Sequence, residues 1–560
     1  MTAQTASPAP PAQEEPMTDF VNVAAWLPEM ARTQPDALAV AVARRRGWSK
    51  LTCAELNRAC DRIAHGLESI GITQGTRTVL MVKPSPEFFA LTFALFKVGA
   101  VPVLVDPGMG IANLGQCLAE AEPEAFIGIT KAHVARKLLG WGRDTVRIQV
   151  TVGPRLFWRG STLAGLERGA PGRPYAMKET APEQTAAILF TSGSTGVPKG
   201  AVYSHSIFAN QVRLLRDTYG IEPGEVDLST FPLFALFGPA LGMASVVPLM
   251  DASKPASADP ARLVDAIQTW GCTNMFASPA LVNKLGRYGE RRGLKLSTLR
   301  RVISAGAPAS TPVLKRFVPL LPPGVQVFTP YGATESLPVA NVGSATILGE
   351  TGAKTDEGAG VCVGEPVDSM EVAIIGIDDA PIATWSDDLR LPQGEIGEIT
   401  VRGPVVTRRY YNRDRSTQLA KIADGDRIWH RMGDVGYLDG QGRLWMCGRK
   451  AHRVELDDGE RLFTVPCEAV FNARPGVLRT ALVGVTHAGQ TVPVICVELE
   501  EGALREAVLH DLRETAQRFE HTRGLSTFLI HDGGFPVDVR HNAKIFREKL
   551  AVWAAKEVGA

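Results

Sequence analysis

Short apolar runs alternate with helical stretches through much of this chain, and this alternation limits the folds it can adopt. Residues 78–82 are typical of a buried strand, and a helical stretch follows at 86–98 with proline in its first turn. Residues 101–105 then return as a strand. Further buried-strand candidates are 126–129, 146–152, 186–190, 272–277, 301–304 and 326–328. This β-α-β pattern predicts an α/β fold with largely parallel sheets.

The pattern changes from about Val361. Residues 395–402 alternate polar and apolar side chains as half-buried strands do, and glycines and prolines separate such segments. We therefore predict a β-rich subdomain there and a domain boundary near residue 447. A chain of 560 residues is too long for one compact core. The predicted units are a disordered tail at 1–20, a large N-terminal domain at 21–447 and a small α+β domain at 448–560.

Charge and cysteine usage exclude several classes of function. Lys and Arg total 60 and Asp and Glu total 59, so no broad attraction to nucleic acid or to an anionic membrane is expected. The eight cysteines are scattered without paired spacing, which favours reduced thiols in a cytoplasmic protein over disulfides or a zinc site. Residues 231–250 carry no charge, but prolines and glycines interrupt them. We therefore expect a buried segment there and no integral membrane span, and peripheral membrane contact stays open.

A loop rich in glycine and hydroxyl side chains follows the apolar run at 186–190. It reads Thr-Ser-Gly-Ser-Thr-Gly-Val-Pro-Lys-Gly. Glycines let successive backbone N–H groups face one concavity. The hydroxyls of Ser192, Ser194 and Thr195 and the charge of Lys199 add further groups that attract an anion. The register differs from that of a P-loop, which ends in Gly-Lys-Ser/Thr, but the string still predicts a polyphosphate-binding loop.

Two further segments follow predicted strands, at the carboxyl edge where ligands of parallel α/β sheets bind. One reads Ser-Ala-Gly-Ala-Pro and is centred on Gly306, which allows the backbone to approach a flat ring. The other reads Tyr-Gly-Ala-Thr-Glu and begins at Tyr331. Tyr331 offers a face for stacking, Thr334 can donate to a phosphoryl oxygen, and Glu335 can hold Mg²⁺ between phosphates. We expect all three segments to be loops at the same sheet edge.

These strings, in this order, resemble the motifs of the adenylate-forming superfamily, which contains acyl-CoA synthetases, peptide-synthetase adenylation domains and luciferases. Asp434 and Arg449 match the family's ribose-binding aspartate and arginine. The string Asn-Ala-Lys-Ile matches a C-terminal motif and makes Lys544 the lysine that closes over the carboxylate and the α-phosphate. The resemblance covers nearly the whole chain. It implies that 21–447 is the AMP-binding domain and that 448–560 is a mobile lid.

The resemblance also implies ATP and Mg²⁺ as cofactors. A carboxylate would attack the α-phosphate of ATP and release pyrophosphate, a step that depends on positioning and charge neutralisation. The implied catalytic residues are Lys544, Thr195, Glu335 and His205, and the implied metal-binding residues are Glu335 and Thr195. The implied ATP/AMP-binding residues are Thr191, Ser192, Gly193, Ser194, Thr195, Gly196, Lys199, Gly306, Ala307, Pro308, Tyr331, Gly332, Thr334, Asp434 and Arg449.

The strings at 429–437, 447–454 and 540–545 look like a narrower group, the olefin β-lactone synthetases of bacterial long-chain hydrocarbon biosynthesis. Those enzymes act on long-chain 2-alkyl-3-hydroxy acids. The implied second step is attack of the substrate's own β-hydroxyl on the adenylated carboxyl, which yields a β-lactone and AMP. Two departures agree with this, because Ala235 replaces a histidine of many fatty acyl-CoA synthetases and Ala451 occupies the family's hinge position.

Some assignments stay open at this stage. His205 and His430 are candidate bases for the β-hydroxyl. Phe231, Phe234 and Phe237 are candidates for lining an alkyl pocket, with ordinary core packing as the alternative. The alternative functions are a long-chain acyl-CoA synthetase or acyl-carrier-protein ligase, a luciferase-like oxygenase, and a catalytically silent AMP-binding protein. A hydrophobic substrate also suggests a complex with other pathway enzymes.

Overall fold

The computed structural model describes residues 21–191, 198–231, 237–252, 254–537 and 545–559, so the predicted tail at 1–20 lies outside the described residues. The strands are β1 (Leu38–Ala43), β2 (Trp48–Thr52), β3 (Arg77–Met81), β4 (Val101–Val105), β5 (Ala125–Ile129), β6 (Ile148–Val152), β7 (Ser161–Thr162), β8 (Thr185–Thr191), β9 (Lys199–Ser204), β10 (Val226–Ser229), β11 (Ala244–Val247), β12 (Asn274–Ala277), β13 (Arg301–Ser304), β14 (Val327–Ala333), β15 (Ser336–Gly343), β16 (Val361–Pro366), β17 (Glu371–Ile375), β18 (Gly397–Arg402), β19 (Lys421–Asp424), β20 (Arg427–Leu438), β21 (Leu444–Arg449), β22 (Val454–Glu455), β23 (Arg461–Leu462), β24 (Val477–His487), β25 (Gln490–Leu499) and β26 (Thr527–Ile530).

The longer helices are Trp26–Thr33, Cys53–Ser69, Pro86–Lys97, Ile111–Ala121, Thr130–Leu139, Leu163–Gly169, His205–Tyr219, Pro260–Trp270, Pro279–Glu290, Thr311–Phe317, Asp414–Ala420, Thr464–Asn472, Arg505–Ala516 and Arg547–Gly559. Shorter helical turns are Pro107–Met109, Phe237–Ala240, Pro255–Ser257, Val318–Leu320, Ser344–Thr346, Ile347–Thr351, Gly352–Asp356, Asp387–Leu389, Lys450–His452 and Glu520–Thr522.

The first sheet contains β3 to β9 in the order β7-β6-β5-β3-β4-β8-β9. Its neighbours are parallel, except that β8 and β9 form an antiparallel hairpin. Val103 and Ile127 are completely buried, as expected for strands covered on both faces. The predicted β-α-β unit is present. Ser85 caps the helix Pro86–Lys97 by accepting from Phe88 N, and Pro86 occupies the first turn.

The second sheet runs in the order β17-β18-β20-β21-β16-β15-β14-β13-β12-β10-β11-β1-β2, and β19 pairs with β20. The stretch from β1 through β11, β10, β12 and β13 to β14 is parallel. From β14 to β21 the neighbours are antiparallel. The predicted α/β fold with largely parallel sheets and a β-rich part from Val361 is therefore confirmed.

The C-terminal part forms its own small α+β unit. β24, β25 and β26 make one sheet, and β22 pairs with β23. Phe471, Leu482, Ile495 and Leu512 are buried together in its core. The predicted boundary at residue 447 lies inside β21, and the change of sheet follows at the turn Lys450–His452. The division into domains itself stays a prediction.

Two expectations about the motifs are wrong. The 331–335 segment is not a loop, because Tyr331 to Ala333 continue β14 and pair with β15 as a tight hairpin whose turn holds Thr334 and Glu335. Gly332 is needed there, since a Cβ would lie 2.7 Å from Ser336 O. The three segments also do not share one sheet edge, because β8 and β9 belong to the first sheet and β13 and β14 to the second.

The uncharged segment 231–250 was expected to be buried. Of its described part, residues 238–247 are buried, and Ala244–Val247 form the strand β11 of the second sheet. Within the described ranges, no helix combines the length and the apolar character that a bilayer span requires.

Candidate nucleotide site

β9 links the two sheets where the predicted motifs meet. It pairs with β8 on one side, and on the other Tyr411 N donates to Gly200 O at 2.8 Å. The buried Tyr203 hydroxyl donates to Thr334 O at 2.5 Å. The β8–β9 hairpin of the first sheet therefore lies against the β14–β15 hairpin of the second. Tertiary packing brings together motifs that no common sheet edge connects.

Tyr410 connects functional side chains from the two hairpins. Its hydroxyl donates to Glu335 Oε1 at 2.7 Å, and Lys199 Nζ lies 5.2 Å from the centre of its ring. Thr407 also holds the β14–β15 turn in place, because its N–H and its hydroxyl donate to Glu335 O at 2.8 and 3.1 Å. Burial and the Glu335 carboxylate raise the pKa of Tyr410 well above its usual value. The phenol therefore stays protonated and acts as a donor.

A buried lysine lies behind Tyr410. Lys421 is 8% exposed, and its Nζ donates to Thr407 Oγ1 at 3.2 Å and lies 5.9 Å from the Tyr410 ring centre. Burial lowers the pKa of Lys421 to about 7, although the Glu335 charge acts in the opposite direction. A buried lysine therefore contacts Thr407 and Tyr410, the two residues that hydrogen-bond to Glu335.

His430 is buried beside Lys421, its partner in the β19–β20 register. Its Nδ1 lies 3.1 Å from Ala420 O, and because a carbonyl can only accept, Nδ1 carries the proton. Burial and, secondly, the Lys421 charge hold the pKa of His430 well below its usual range. This candidate base is therefore a neutral imidazole with its Nδ1 proton committed to the backbone.

The two predicted ribose-binding residues form a pair. Asp434 and Arg449 are opposite each other on β20 and β21, and Arg449 Nε lies 3.1 Å from Asp434 Oδ1. The Tyr331 hydroxyl donates to Asp434 Oδ2 at 2.7 Å. Burial raises the pKa of Asp434, while the Arg449 guanidinium opposes that shift. Tyr331 thus connects this pair to the β14–β15 hairpin, whose turn carries Glu335.

The predicted adenine-binding segment begins where β13 ends. Ser304 is buried, and Gly306 is exposed with φ +96°, a backbone conformation that favours glycine. The next residue but one, Pro308, is also exposed, and Ala307 between them is half-buried. The segment therefore has small side chains and exposes part of its backbone to solvent.

An apolar cluster lies next to that segment. Half-buried Phe231 and Phe237 belong to the same cluster as Ala305, which follows β13, and Phe328, which lies in β14. The Phe231 ring lies 6.4 Å from that of Phe276. Two of the three predicted pocket residues therefore belong to the same apolar cluster as Ala305 of the predicted adenine-binding segment.

His205 lies at the start of the helix His205–Tyr219 and is completely buried. Val23 N donates to its Nδ1 at 3.3 Å, which leaves the proton on Nε2. Burial lowers the pKa of His205 to about 4. In this arrangement His205 is a neutral imidazole whose Nδ1 accepts a hydrogen bond from Val23 N. Nδ1 could take a proton only after that hydrogen bond is lost.

Several predicted residues lie outside the described residues: Ser192, Gly193, Ser194, Thr195, Gly196, Phe234 and Lys544. Of Thr191, the structure describes only the backbone at the end of β8. On either side of the Lys544 segment, Val537 and Ile545 pair as an antiparallel bridge.

Sequence reasoning missed Tyr203, Thr407, Tyr410 and Lys421. Tyrosine and threonine in strand-like stretches carry no chemical pattern of their own, so only their contacts reveal them. Lys421 offered a weak signal, because it interrupts the apolar run Leu-Ala-Lys-Ile that ends at Ile422.

Comparisons with known proteins agree with this geometry. The model of the AMP-binding enzyme family matches residues 27–411. An olefin beta-lactone synthetase of Stenotrophomonas maltophilia is 54% identical over 552 residues, which cover 96% of this chain and 98% of that protein. An olefin beta-lactone synthetase of Xanthomonas campestris pv. campestris is 52% identical over 556 residues, which cover 97% and 99%.

A solved structure shows the same fold. The o-succinylbenzoate coenzyme A synthetase of Bacillus subtilis, in complex with ATP and magnesium, superposes with a TM-score of 0.74 at 21% identity, over 94% of this chain and 98% of that one. This chain therefore shares the fold of that synthetase. The chain belongs to the AMP-binding enzyme family. Within that family it is an ATP-dependent ligase, and the two relatives that are 54% and 52% identical to it are olefin β-lactone synthetases.

Proposed function

We propose that this enzyme activates a long-chain 2-alkyl-3-hydroxy fatty acid with ATP and then closes it to a β-lactone. The convergence of Lys199, Glu335, Asp434 and Arg449 through Tyr410 and Tyr331 supports the activation step. Near-full-length identity above one half with two olefin β-lactone synthetases supports the lactone product. The half-buried Phe231 and Phe237 beside the adenine-binding segment suit a long alkyl chain.

In the first step a substrate carboxylate oxygen bonds to the α-phosphorus of ATP, and the bond from that phosphorus to the pyrophosphate oxygen breaks. Asp434 and Arg449 would hold the ribose, and Lys199 would lie against the phosphates. Lys544 and Thr195, assigned by the family resemblance, would offset the negative charge on the α-phosphate. Positioning and charge neutralisation, with no acid or base, can drive this step.

The surroundings of the Glu335 carboxylate fit one Mg²⁺ ion that the nucleotide phosphates would also bind. The Tyr410 hydroxyl donates to Glu335 Oε1, and no hydrogen bond to Glu335 Oε2 is present among the described residues. In the same ranges, no group of three or more His, Cys, Asp or Glu side chains could hold a metal. A single carboxylate with substrate phosphates is a usual Mg²⁺ environment. When bound, Mg²⁺ would neutralise phosphate charge.

In the second step the β-hydroxyl oxygen bonds to the acyl carbon, and the bond from that carbon to the AMP oxygen breaks. The hydroxyl proton leaves with a base or with the departing phosphate, so no external thiol is consumed. Holding both reacting atoms in one molecule gives a large entropic advantage, which ring strain partly offsets. His205 stays the proposed base, on the condition that it loses its bond to Val23.

A product assay tests this proposal. The purified enzyme is given ATP, Mg²⁺ and a 2-alkyl-3-hydroxy fatty acid, with and without CoA. We expect AMP and a β-lactone, identified by NMR, in equal amount in both reactions. An acyl thioester that forms only with CoA would refute the lactone product while leaving the adenylation step intact.

Location and partners extend the proposal. All eight cysteines are buried and free, which suits a reducing cytoplasm. We place the enzyme there, with transfer of its hydrophobic substrate and product between it and other enzymes of the same pathway.

Replacement of Tyr410 by phenylalanine tests the positioning of Glu335. The variant loses the 2.7 Å hydrogen bond to Oε1 but keeps the ring that faces Lys199. We expect the half-saturating Mg²⁺ concentration to rise about tenfold, because a hydrogen bond to a charged group contributes about 1.5 kcal/mol or more. Mn²⁺ binding with a non-hydrolysable ATP analogue, followed by electron paramagnetic resonance, provides a second readout.

Tyr411→Phe is the matched control. The Tyr411 hydroxyl makes no hydrogen bond within the described ranges, and its ring lies near Arg77. The control should bind Mn²⁺ like the wild type. Equal metal affinity in all three proteins would contradict the role assigned to Tyr410.

A further inference from the structure

An exposed apolar and basic surface lies on the first sheet, across β3 and β4 from β8. We call it the 131–159 patch. It consists of the exposed side chains Lys131, Lys137, Leu138, Leu139, Arg155, Leu156, Phe157 and Arg159. Two contacts join its halves: the His133 ring stacks on Trp158 with 5.3 Å between centres, and Thr130 Oγ1 donates to Pro154 O at 2.6 Å. The helix Thr130–Leu139 and the segment 153–159 therefore form one continuous surface.

The apolar side chains of the patch point outward to an unusual degree. Leu138 is 80% exposed, Phe157 is 85% exposed and Leu156 is 51% exposed. By contrast, the adjacent Trp158 is 4% exposed and its Nε1 donates to Thr151 Oγ1. The segment thus buries one aromatic ring firmly and leaves the neighbouring ring in solvent. Neighbouring large apolar side chains in solvent mark a contact surface.

The same part of the chain is strongly basic. Residues 125–166 contain seven Lys and Arg residues and one acidic residue, Asp144, a net charge of +6 against +1 for the whole chain. The basic residues are Lys131, Arg136, Lys137, Arg143, Arg147, Arg155 and Arg159. Across the described part of the chain, none of these seven forms an ion pair with an acidic side chain; Arg136 is buried and the other six are exposed. Although the whole chain is nearly neutral, residues 125–166 therefore carry a local positive charge that attracts anions.

We propose that the 131–159 patch binds the surface of an anionic lipid bilayer. Phe157 and Leu138 enter the headgroup region, and Lys131, Lys137 and Arg155 pair with lipid phosphates. Exposed Phe and Leu side chains surrounded by Lys and Arg are the composition of segments that lie in a membrane interface. The unpaired cations complement anionic lipid and give the bilayer preference over a protein partner. This inference does not depend on the proposed reaction.

Vesicle co-sedimentation of the full-length enzyme tests the proposal. The vesicles are phosphatidylcholine alone, or phosphatidylcholine with phosphatidylglycerol. We expect binding to the anionic vesicles only, and weaker binding at high salt. Leu138→Ser/Phe157→Ser and Lys137→Gln/Arg155→Gln should each lower the partition coefficient at least about tenfold, because each basic residue and each buried apolar group adds to membrane affinity.

Matched controls distinguish binding by the 131–159 patch from non-specific adsorption to vesicles. Leu504→Ser removes another apolar side chain that is 76% exposed, and Arg287→Gln/Arg291→Gln removes two exposed cations elsewhere. Both should bind like the wild type, and unchanged thermal melting of all variants shows that they fold. Absence of wild-type binding to anionic vesicles, or equal loss in the controls, would overturn the proposal. Capture of a pathway protein by the patch with no vesicle binding would also overturn it.

Discussion

Replacement of Lys544 by alanine is expected to reduce ATP–pyrophosphate exchange about 10²- to 10³-fold. The lysine is assigned to the carboxylate and the α-phosphate, where negative charge accumulates as the new P–O bond forms. Loss of one such donor from a closed site has an effect of that size. ATP binding measured by calorimetry should change much less, because the ribose and the outer phosphates keep their own partners.

Lys556→Ala is the control for this substitution, since Lys556 is an exposed lysine on the terminal helix Arg547–Gly559. It should leave exchange unchanged. Full exchange activity in Lys544→Ala would refute the assignment of this lysine. Another cation would then have to neutralise the α-phosphate.

Asp434→Asn is expected to weaken ATP binding about tenfold to a hundredfold. The substitution preserves shape but removes the charge that faces Arg449 Nε at 3.1 Å and accepts from Tyr331 at 2.7 Å. Breaking one side of a hydrogen-bonded charge pair in a buried site commonly costs about 2–5 kcal/mol. Arg449 is partly exposed, so solvent reduces that cost. Calorimetric titration with ATP measures the change.

The control for the ribose site is Asp426→Asn, which neutralises an exposed carboxylate in the turn before β20. It should bind ATP like the wild type. If Asp434→Asn retained wild-type affinity while Asp426→Asn lost it, Asp434 could not be the ribose ligand.

Much of the fold follows from local patterns in the sequence. The predicted strand at 101–105 and the predicted strand at 301–304 coincide with β4 and β13. The predicted helix at 86–98 differs from Pro86–Lys97 by one residue. These elements are predictable because apolar runs, proline in a first turn and capping serine are local signals.

The motif at 331–335 is a case in which local sequence patterns do not predict the secondary structure. The sequence predicts a strand at 326–328, but β14 continues through Tyr331 to Ala333 because β15 pairs with it. That pairing depends on residues that come later in the chain and on Gly332, which leaves room for Ser336 O. Nothing within the motif itself distinguishes a hairpin from a loop.

Taken alone, the sequence determined the class of fold and the order of the motifs, because these depend on residue type and spacing. Together with the family resemblance it also predicts site residues such as Lys199, Glu335, Asp434 and Arg449. Only the tertiary structure decided which of them touch. Lys199 lies on β9 of the first sheet and Glu335 lies in the β14–β15 turn of the second, and Tyr410 contacts both from a third segment. Likewise, burial, which no local pattern states, makes His205 a neutral acceptor and lowers the pKa of Lys421. Contacts between distant segments and desolvation are collective properties of the packed chain, and they appear only once it has folded.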